Sequence, residues 1–143
     1  MALDNIRLEV MQLLEKKVDS YIDKFLIPVD KIWQPTAFLP DSQNEDTFID
    51  EVKELRELAK ELPYDFWVVL VGDTITEEAL PTYESWLMDV EGINQHGDEK
   101  GISWSKCVRY WTGEENRHGD VLNKYLCLSG RVNLIEVERT THY

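Results

Sequence analysis

The residues of this 143-residue chain best placed to do chemistry lie in one short run, Glu114-Glu115-Asn116-Arg117-His118. On a helix, Glu115 and His118 stand three apart and share a face, with Cβ atoms about 5–6 Å from each other. At that spacing a carboxylate oxygen and an imidazole nitrogen can reach one metal ion. Their surroundings sharpen the reading. On a helical projection Trp104, Val108, Trp111, Leu122 and Leu126 fall within about 40° of Glu115, and His118 about 60° from it. Carboxylate and imidazole therefore sit in the middle of an apolar face, where leaving them uncompensated is costly.

Glu77 supplies a partner. It lies 13 residues before the expected end of its helix at Val90, while Glu115 lies 12 residues after the expected start of the next at Ser103. In an antiparallel hairpin the two carboxylates stand at nearly the same height. Along the face of Glu77 run Phe66, Leu70, Asp73, Pro81, Glu84 and Met88. A Glu facing a Glu-x-x-His is half of a two-metal carboxylate pattern in four-helix bundles. The full pattern takes one Glu from each of two helices and one Glu-x-x-His from each of two more. Two plainer readings compete with this one: a solvated helix face, which most isolated Glu-x-x-His spacings are, and a structural Glu–His ion pair.

Five helices position these residues, and the class is all-α. Residues 4–26 read as an amphipathic helix with apolar positions Ile6, Val10, Leu13, Leu14, Tyr21 and Phe25, closed by Pro28. Residues 28–46 form a Pro-rich loop with three prolines in 13 residues, which rules out a helix there. A second helix over 47–62 buries Phe48, Val52, Leu55, Ala59 and Leu62, with Thr47 and Asp50 as a capping box. The third runs from Pro63 to Val90. Its apolar start, Phe66 to Val71, continues into Thr76-Glu77-Glu78 with no turn signal, and Pro81 kinks it. A polar loop over 91–102 follows. Ser103 caps the fourth helix, which ends at Gly130. Asn133 with Glu136 caps the fifth. The chain reads as one partial domain over 1–143: an N-terminal helix to 27, the loop 28–46, and a helical-bundle part from 47 onward.

Composition narrows the partners. The net charge of -13 argues against nucleic acid or an anionic membrane surface, since both require cationic patches. With 43% hydrophobic residues the chain can build a core. No apolar run is long enough for a membrane span. Cys107 and Cys127 are 20 residues apart on one expected helix, about 30 Å, too far to bond, which favours a reducing compartment. The opening Met1-Ala2-Leu3-Asp4-Asn5 has neither the Arg/Ser-rich character of a transit peptide nor the apolar stretch of a signal peptide.

Longer words carry a resemblance. They are Trp33-Gln34-Pro35, Phe38-Leu39-Pro40-Asp41, Glu54-Leu55-Arg56-Glu57, Val68-Val69-Leu70-Val71-Gly72-Asp73, and the runs Ile75 to Tyr83, Glu114 to Gly119 and Leu122 to Gly130. Over about residues 28–143 the chain resembles the plastid, stearoyl-type acyl-[acyl-carrier-protein] desaturases. The resemblance implies a ferritin-like di-iron helical bundle, of which this chain holds about five helices. It implies that Glu77 is the single Glu ligand of an iron pair and Glu115 with His118 the first Glu-x-x-His. Glu78 and Glu114 then lie outside the ligand set. The implied reaction introduces a cis double bond into a saturated acyl chain on acyl carrier protein, using O₂ and ferredoxin electrons, in fatty acid biosynthesis in the plastid stroma. A homodimer is also implied.

Three finer roles follow from the same likeness. Trp33 takes the position associated with passage of electrons toward the His ligand, although packing of the Pro-rich loop explains it as well. Trp86, Asp89 and Val90 take positions lining the acyl channel. Trp86 stands where a slimmer side chain is usual, which favours shorter acyl chains unless it packs outward. Acidic protein partners require a local basic surface, for which Lys16, Lys17, Lys24, Arg109, Arg117, Lys124 and Arg131 are candidates. The departure is the second Glu and second Glu-x-x-His, which these residues do not contain. The remaining histidines are His96 and His142. The chain is then a fragment, a truncated product, or one of two chains that pair to complete the set. The alternatives to a desaturase are a catalytically inactive helical binding or regulatory fragment and a helical structural protein with a buried ion pair.

Overall fold

The computed structural model describes residues 4–93 and 102–142, and every regular element among them is helical. The elements are α1 (Asn5–Phe25), α2 (Glu45–Lys60), α3 (Tyr64–Glu78), α4 (Leu80–Met88), α5 (Ile102–Ser129) and α6 (Leu134–His142). Single turns of 3₁₀-helix, Val29–Lys31 and Pro35–Ala37, punctuate the Pro-rich segment. Most of the expected loop 91–102, with His96, lies outside the described residues. None of the described helices is long and apolar enough to cross a membrane. Cys107 and Cys127 are both free thiols.

Two compact units emerge, one from Met1–Ile32 with Ala79–Glu115 and one from Trp33–Glu78 with Asn116–Tyr143. In the first, α1 begins at Asp4, whose carboxylate accepts the Arg7 N–H at 2.8 Å. The apolar stripe expected to pack is the one that faces out: Ile6 is 74% exposed and Phe25 66%. The inward face is instead Leu8, Met11, Glu15, Val18 and Ile22, spaced alternately by three and four, with Val18 and Ile22 buried. Polar contacts with the start of α5 select that face. Glu15 accepts the Ser103 N–H at 3.2 Å, Asp19 accepts the Ser103 hydroxyl at 2.9 Å, and the Trp104 indole donates to the Met11 carbonyl at 3.0 Å. Ser103 is thus not the cap of α5 but its second residue. The donor of its first turn is satisfied by a carboxylate from α1, which also suits the positive end of the helix.

The expected long third helix is two helices. A proline inside a helix removes a hydrogen bond and clashes with the preceding turn, whereas in a first turn it costs nothing. Accordingly α3 ends at Glu78, Ala79 stands between, and Pro81 falls in the opening turn of α4.

In the second unit Ala59, Trp67 and Leu126 form the buried centre, surrounded by Leu62, Leu70, Val71, Tyr125, Val132 and Leu134. The expected α2 stripe packs inward. Its capping box does not form: α2 starts two residues earlier, and Asp50 instead accepts from Lys53 at 2.7 Å on the exposed side. Helices α3 and α5 run antiparallel, because Trp67 near the start of α3 stacks on Tyr125 (5.6 Å, 17°) while Glu77 near its end meets Gly119. The Arg131 guanidinium lies 5.8 Å over the Trp67 ring, and burial pushes the Tyr125 hydroxyl up from its ordinary pKa. Gly130 closes α5 at φ +64, where a side chain is strained, and Arg56 donates to the Leu128 carbonyl at 2.9 Å. Asn133 caps α6 as expected, its Oδ1 accepting the Ile135 N–H at 3.1 Å, while Glu136 accepts from Arg139.

Two substitutions separate core from surface. Leu126, 1% exposed, changed to Ala is expected to lower the unfolding free energy by about 2–5 kcal/mol. Gly72, with open space on α3, changed to Ala is expected to raise it by up to about 1 kcal/mol. Urea midpoints of the two variants check both signs.

Candidate metal centre

The last turn of α3 and the middle of α5 bring Glu77, Glu115 and His118 together. One ligand atom from each lies within 4.8 Å of the other two, and all three side chains are half-buried. The separation along α5 is the i,i+3 geometry that one helix face imposes. The reach across from α3 depends on residue 119. Gly119 is buried against Glu77, and a Cβ there would stand 3.3 Å from the Glu77 Cβ. By contrast, a Cβ on Gly113 of the same helix would meet nothing within 4 Å. Gly119 therefore sets the spacing of the two helices at the level of the cluster.

One turn beyond Gly119, the Asn123 amide donates to Glu78 at 2.7 Å. That bond occupies the neighbour of Glu77 and pins the end of α3 along α5. Neither Gly119 nor Asn123 was singled out by sequence reasoning about chemistry. The available signal was their place on the Glu115–Leu122 face of α5.

The Pro-rich loop contributes Trp33. Its ring lies parallel to the His118 imidazole, with centroids 5.7 Å apart and 9° between planes. Phe38 meets the same indole edge-on at 5.4 Å, and the Arg117 guanidinium lies 5.8 Å over it. Arg117, a candidate for the basic surface, is half-buried, with its guanidinium over this aromatic ring. Lys16, Lys17, Lys24, Arg109, Lys124 and Arg131 are exposed. Trp86 is 66% exposed and meets Tyr83 edge-on at 6.0 Å. Asp89 is the exposed C-cap of α4, and Val90 is half-buried.

Two carboxylates and one imidazole form a donor set for a divalent cation of the hard to borderline kind, with further positions open. Donors about 2.0–2.2 Å from a shared ion lie within roughly 4.4 Å of one another. Side-chain shifts of a few tenths of an ångström bring the 4.8 Å spread within that limit. The residues fit a metal.

Comparison with known proteins agrees with the geometry. A family model described as fatty acid desaturase matches residues 6–143. The chain is 52% identical over 137 residues to stearoyl-[acyl-carrier-protein] 9-desaturase 5, chloroplastic, of Arabidopsis thaliana. It is 50% identical over 137 residues to the corresponding chloroplastic enzyme of Ricinus communis and to the seed-specific one of Brassica napus. Each of these alignments covers 96% of this chain and 34% of the relative, so the chain spans about a third of the length of the curated relatives it matches. With a match that runs nearly from end to end, the chain belongs to the fatty acid desaturase family.

Proposed function

We propose that this chain is the part of an acyl-[acyl-carrier-protein] desaturase that carries half of its di-iron ligand set. The observation that carries the reading is the approach of Glu77, Glu115 and His118 to within 4.8 Å on two antiparallel helices, in a member of this family. The relatives are named for acting on stearoyl groups attached to acyl carrier protein and for a chloroplast location. The proposal carries both over: a saturated acyl chain on acyl carrier protein as substrate, and the plastid stroma as the setting.

When bound, the irons supply the O₂ activation needed to remove two hydrogens from an unactivated acyl chain, with two electrons from ferredoxin and two protons balancing the reduction of O₂ to two waters. The chain's own residues do the rest. Glu77, Glu115 and His118 hold the metal. Gly119 keeps α3 close enough for Glu77 to reach it. Trp33 fixes the plane of the His118 ring and, as we propose, marks the path by which electrons arrive. We also assign the acyl chain a course along α4 past Trp86, Asp89 and Val90. The exposed cations, Lys16, Lys17, Lys24, Arg109, Lys124 and Arg131, are the docking points proposed for acidic acyl carrier protein and ferredoxin. We further propose that the chain is one partial domain of a homodimeric enzyme.

A second reading is a helical binding fragment without chemistry, in which Glu115 and His118 serve as a half-buried Glu–His pair.

Anaerobic titration with Fe(II) tests the metal assignment. Saturable binding is expected, and Glu115→Ala and His118→Ala are expected to abolish it. In an assay with reduced ferredoxin, O₂ and stearoyl-acyl carrier protein, any double bond formed should disappear in the same variants. Failure to bind iron at any concentration would remove the metal assignment for this chain and favour the binding fragment. Gly119→Ala tests the helix spacing. The added methyl presses on Glu77, and iron affinity is expected to fall about ten- to hundredfold. Gly113→Ala, which meets nothing, should leave the affinity unchanged.

A further inference from the structure

We propose that Asn123 decides which of two adjacent glutamates becomes a metal ligand: its amide holds Glu78 against α5, so that Glu77 is the one left facing Glu115 and His118. The inference rests on the metal reading above and adds a positioning residue to it.

The first argument is that a choice exists. Glu77 and Glu78 are chemically equal donors, neighbours in the sequence and half-buried alike. Consecutive residues of a helix point about 100° apart, so a rotation of the last turn of α3 exchanges them. Glu77 is the one that joins the cluster, within 4.8 Å of Glu115 and His118. Glu78 instead accepts from the Asn123 amide at 2.7 Å.

The second argument is that α3 does not enforce this choice by itself. Glu78 is its last residue and Glu77 the one before. The final turn of a helix has carbonyls without intrahelical donors, and helix ends fray. Two hydroxyls disturb the ladder just upstream. Thr74 donates to the Leu70 carbonyl at 2.8 Å, and Thr76 to the Gly72 carbonyl at 3.1 Å. Hydroxyls that bond back to the carbonyl four residues earlier bend helices. The direction of Glu77 must therefore be fixed from outside α3.

The third argument is the chemistry and anchorage of Asn123. It lies on α5, five residues after His118, so the bond ties the end of α3 to the helix that carries the imidazole. An ionised carboxylate only accepts, and an amide donates without bringing a charge of its own. Glu78 is thus held while it keeps the negative charge that favours a cation nearby. A Lys or Arg in place of Asn123 would hold Glu78 equally well but would set a positive charge beside the site. Both partners are half-buried, where a hydrogen bond is stronger than in water.

The experiment titrates the full chain with Co(II) alone. It reads affinity together with the visible absorption of the bound ion, whose bands report the number and arrangement of its ligands. Saturable binding with a single spectrum is expected for the unaltered chain. Asn123→Asp keeps the shape of the side chain and sets a negative charge against Glu78. Affinity is expected to fall about tenfold, and the spectrum to change as Glu78 is released toward the ion. In the double variant Asn123→Asp/Glu78→Gln the donor sits on α3 and the acceptor on α5, so the same bond forms in reverse. The original spectrum should return, which a general loss of packing would not allow. Asn123→Ala removes the donor without adding charge and gives the same reading where Asn123→Asp does not fold: weaker binding and an altered spectrum. Glu78→Gln alone retains an acceptor for Asn123 and should keep the spectrum. A changed spectrum in Glu78→Gln would make Glu78 a ligand and overturn the inference. Unaltered spectrum and affinity in the Asn123 variants would also overturn it, and would leave the metal reading standing. Absence of saturable binding by the unaltered chain would remove the metal reading and the inference with it.

Discussion

The contact between α3 and α5 at Gly119 is the constraint on which the cluster depends. Glutamate side chains are short relative to the usual spacing of packed helices, about 8–10 Å between axes. For Glu77 to share an ion with Glu115 and His118, the helices must close up at that height. A residue without a side chain permits the approach, and the Asn123–Glu78 bond beside the break at Ala79 and the Trp67–Tyr125 stack near the start of α3 hold the two helices in register. With that register set, two carboxylates are forced toward each other. Like charges so close are unfavourable until a cation intervenes. The energy of the fold and the affinity for metal are therefore coupled through a single close contact.

Much of this was legible in the sequence, because helix periodicity is a strong signal and the site is built from it. The i,i+3 spacing of Glu115 and His118 and the apolar stripe around them placed both on one face, and counting from the helix ends put Glu77 at the same height. Gly130 and Asn133 closed α5 and opened α6 where their backbone chemistry demands. The order and extent of the helices followed, except where Pro81 broke a helix it was expected only to bend.

What was not legible has a common cause. Helix α1 carries two apolar stripes, and periodicity alone cannot say which one packs. The inward stripe contains Glu15, which reads as a defect in a buried face. In the fold it is the reason that face is chosen, since its carboxylate and that of Asp19 take the donors of Ser103 at the start of α5. The same contact explains why Ser103 is not a cap: its donor is satisfied from across the chain, so the helix can begin a residue earlier. Thr47 and Asp50 match a capping box in spelling only, for α2 had already started at Glu45. Arg117 projects off the apolar stripe of α5, yet the Trp33 ring covers it, and the partner of a cation–π contact does not appear in a helical projection. In each case a long-range partner overrides a local pattern.

The Pro-rich segment shows how such a partner is fixed. A tryptophan on a flexible loop would stack on His118 only part of the time, because ordering a loop costs backbone entropy at every residue. Here Pro35 is buried and opens a 3₁₀ turn, Phe38 returns from that turn to meet the indole edge-on, and Arg117 lies over its face. Proline has already lost much of the freedom that folding removes, so the turn forms at lower cost. The Trp33 plane is consequently held parallel to the imidazole by covalent restriction on one side and by packing on the other. A ring constrained in this way restricts rotation of the His118 side chain, and with it the direction of the nitrogen that faces Glu77 and Glu115. The loop that breaks the helical pattern between α1 and α2 thereby orients the one nitrogen donor of the cluster.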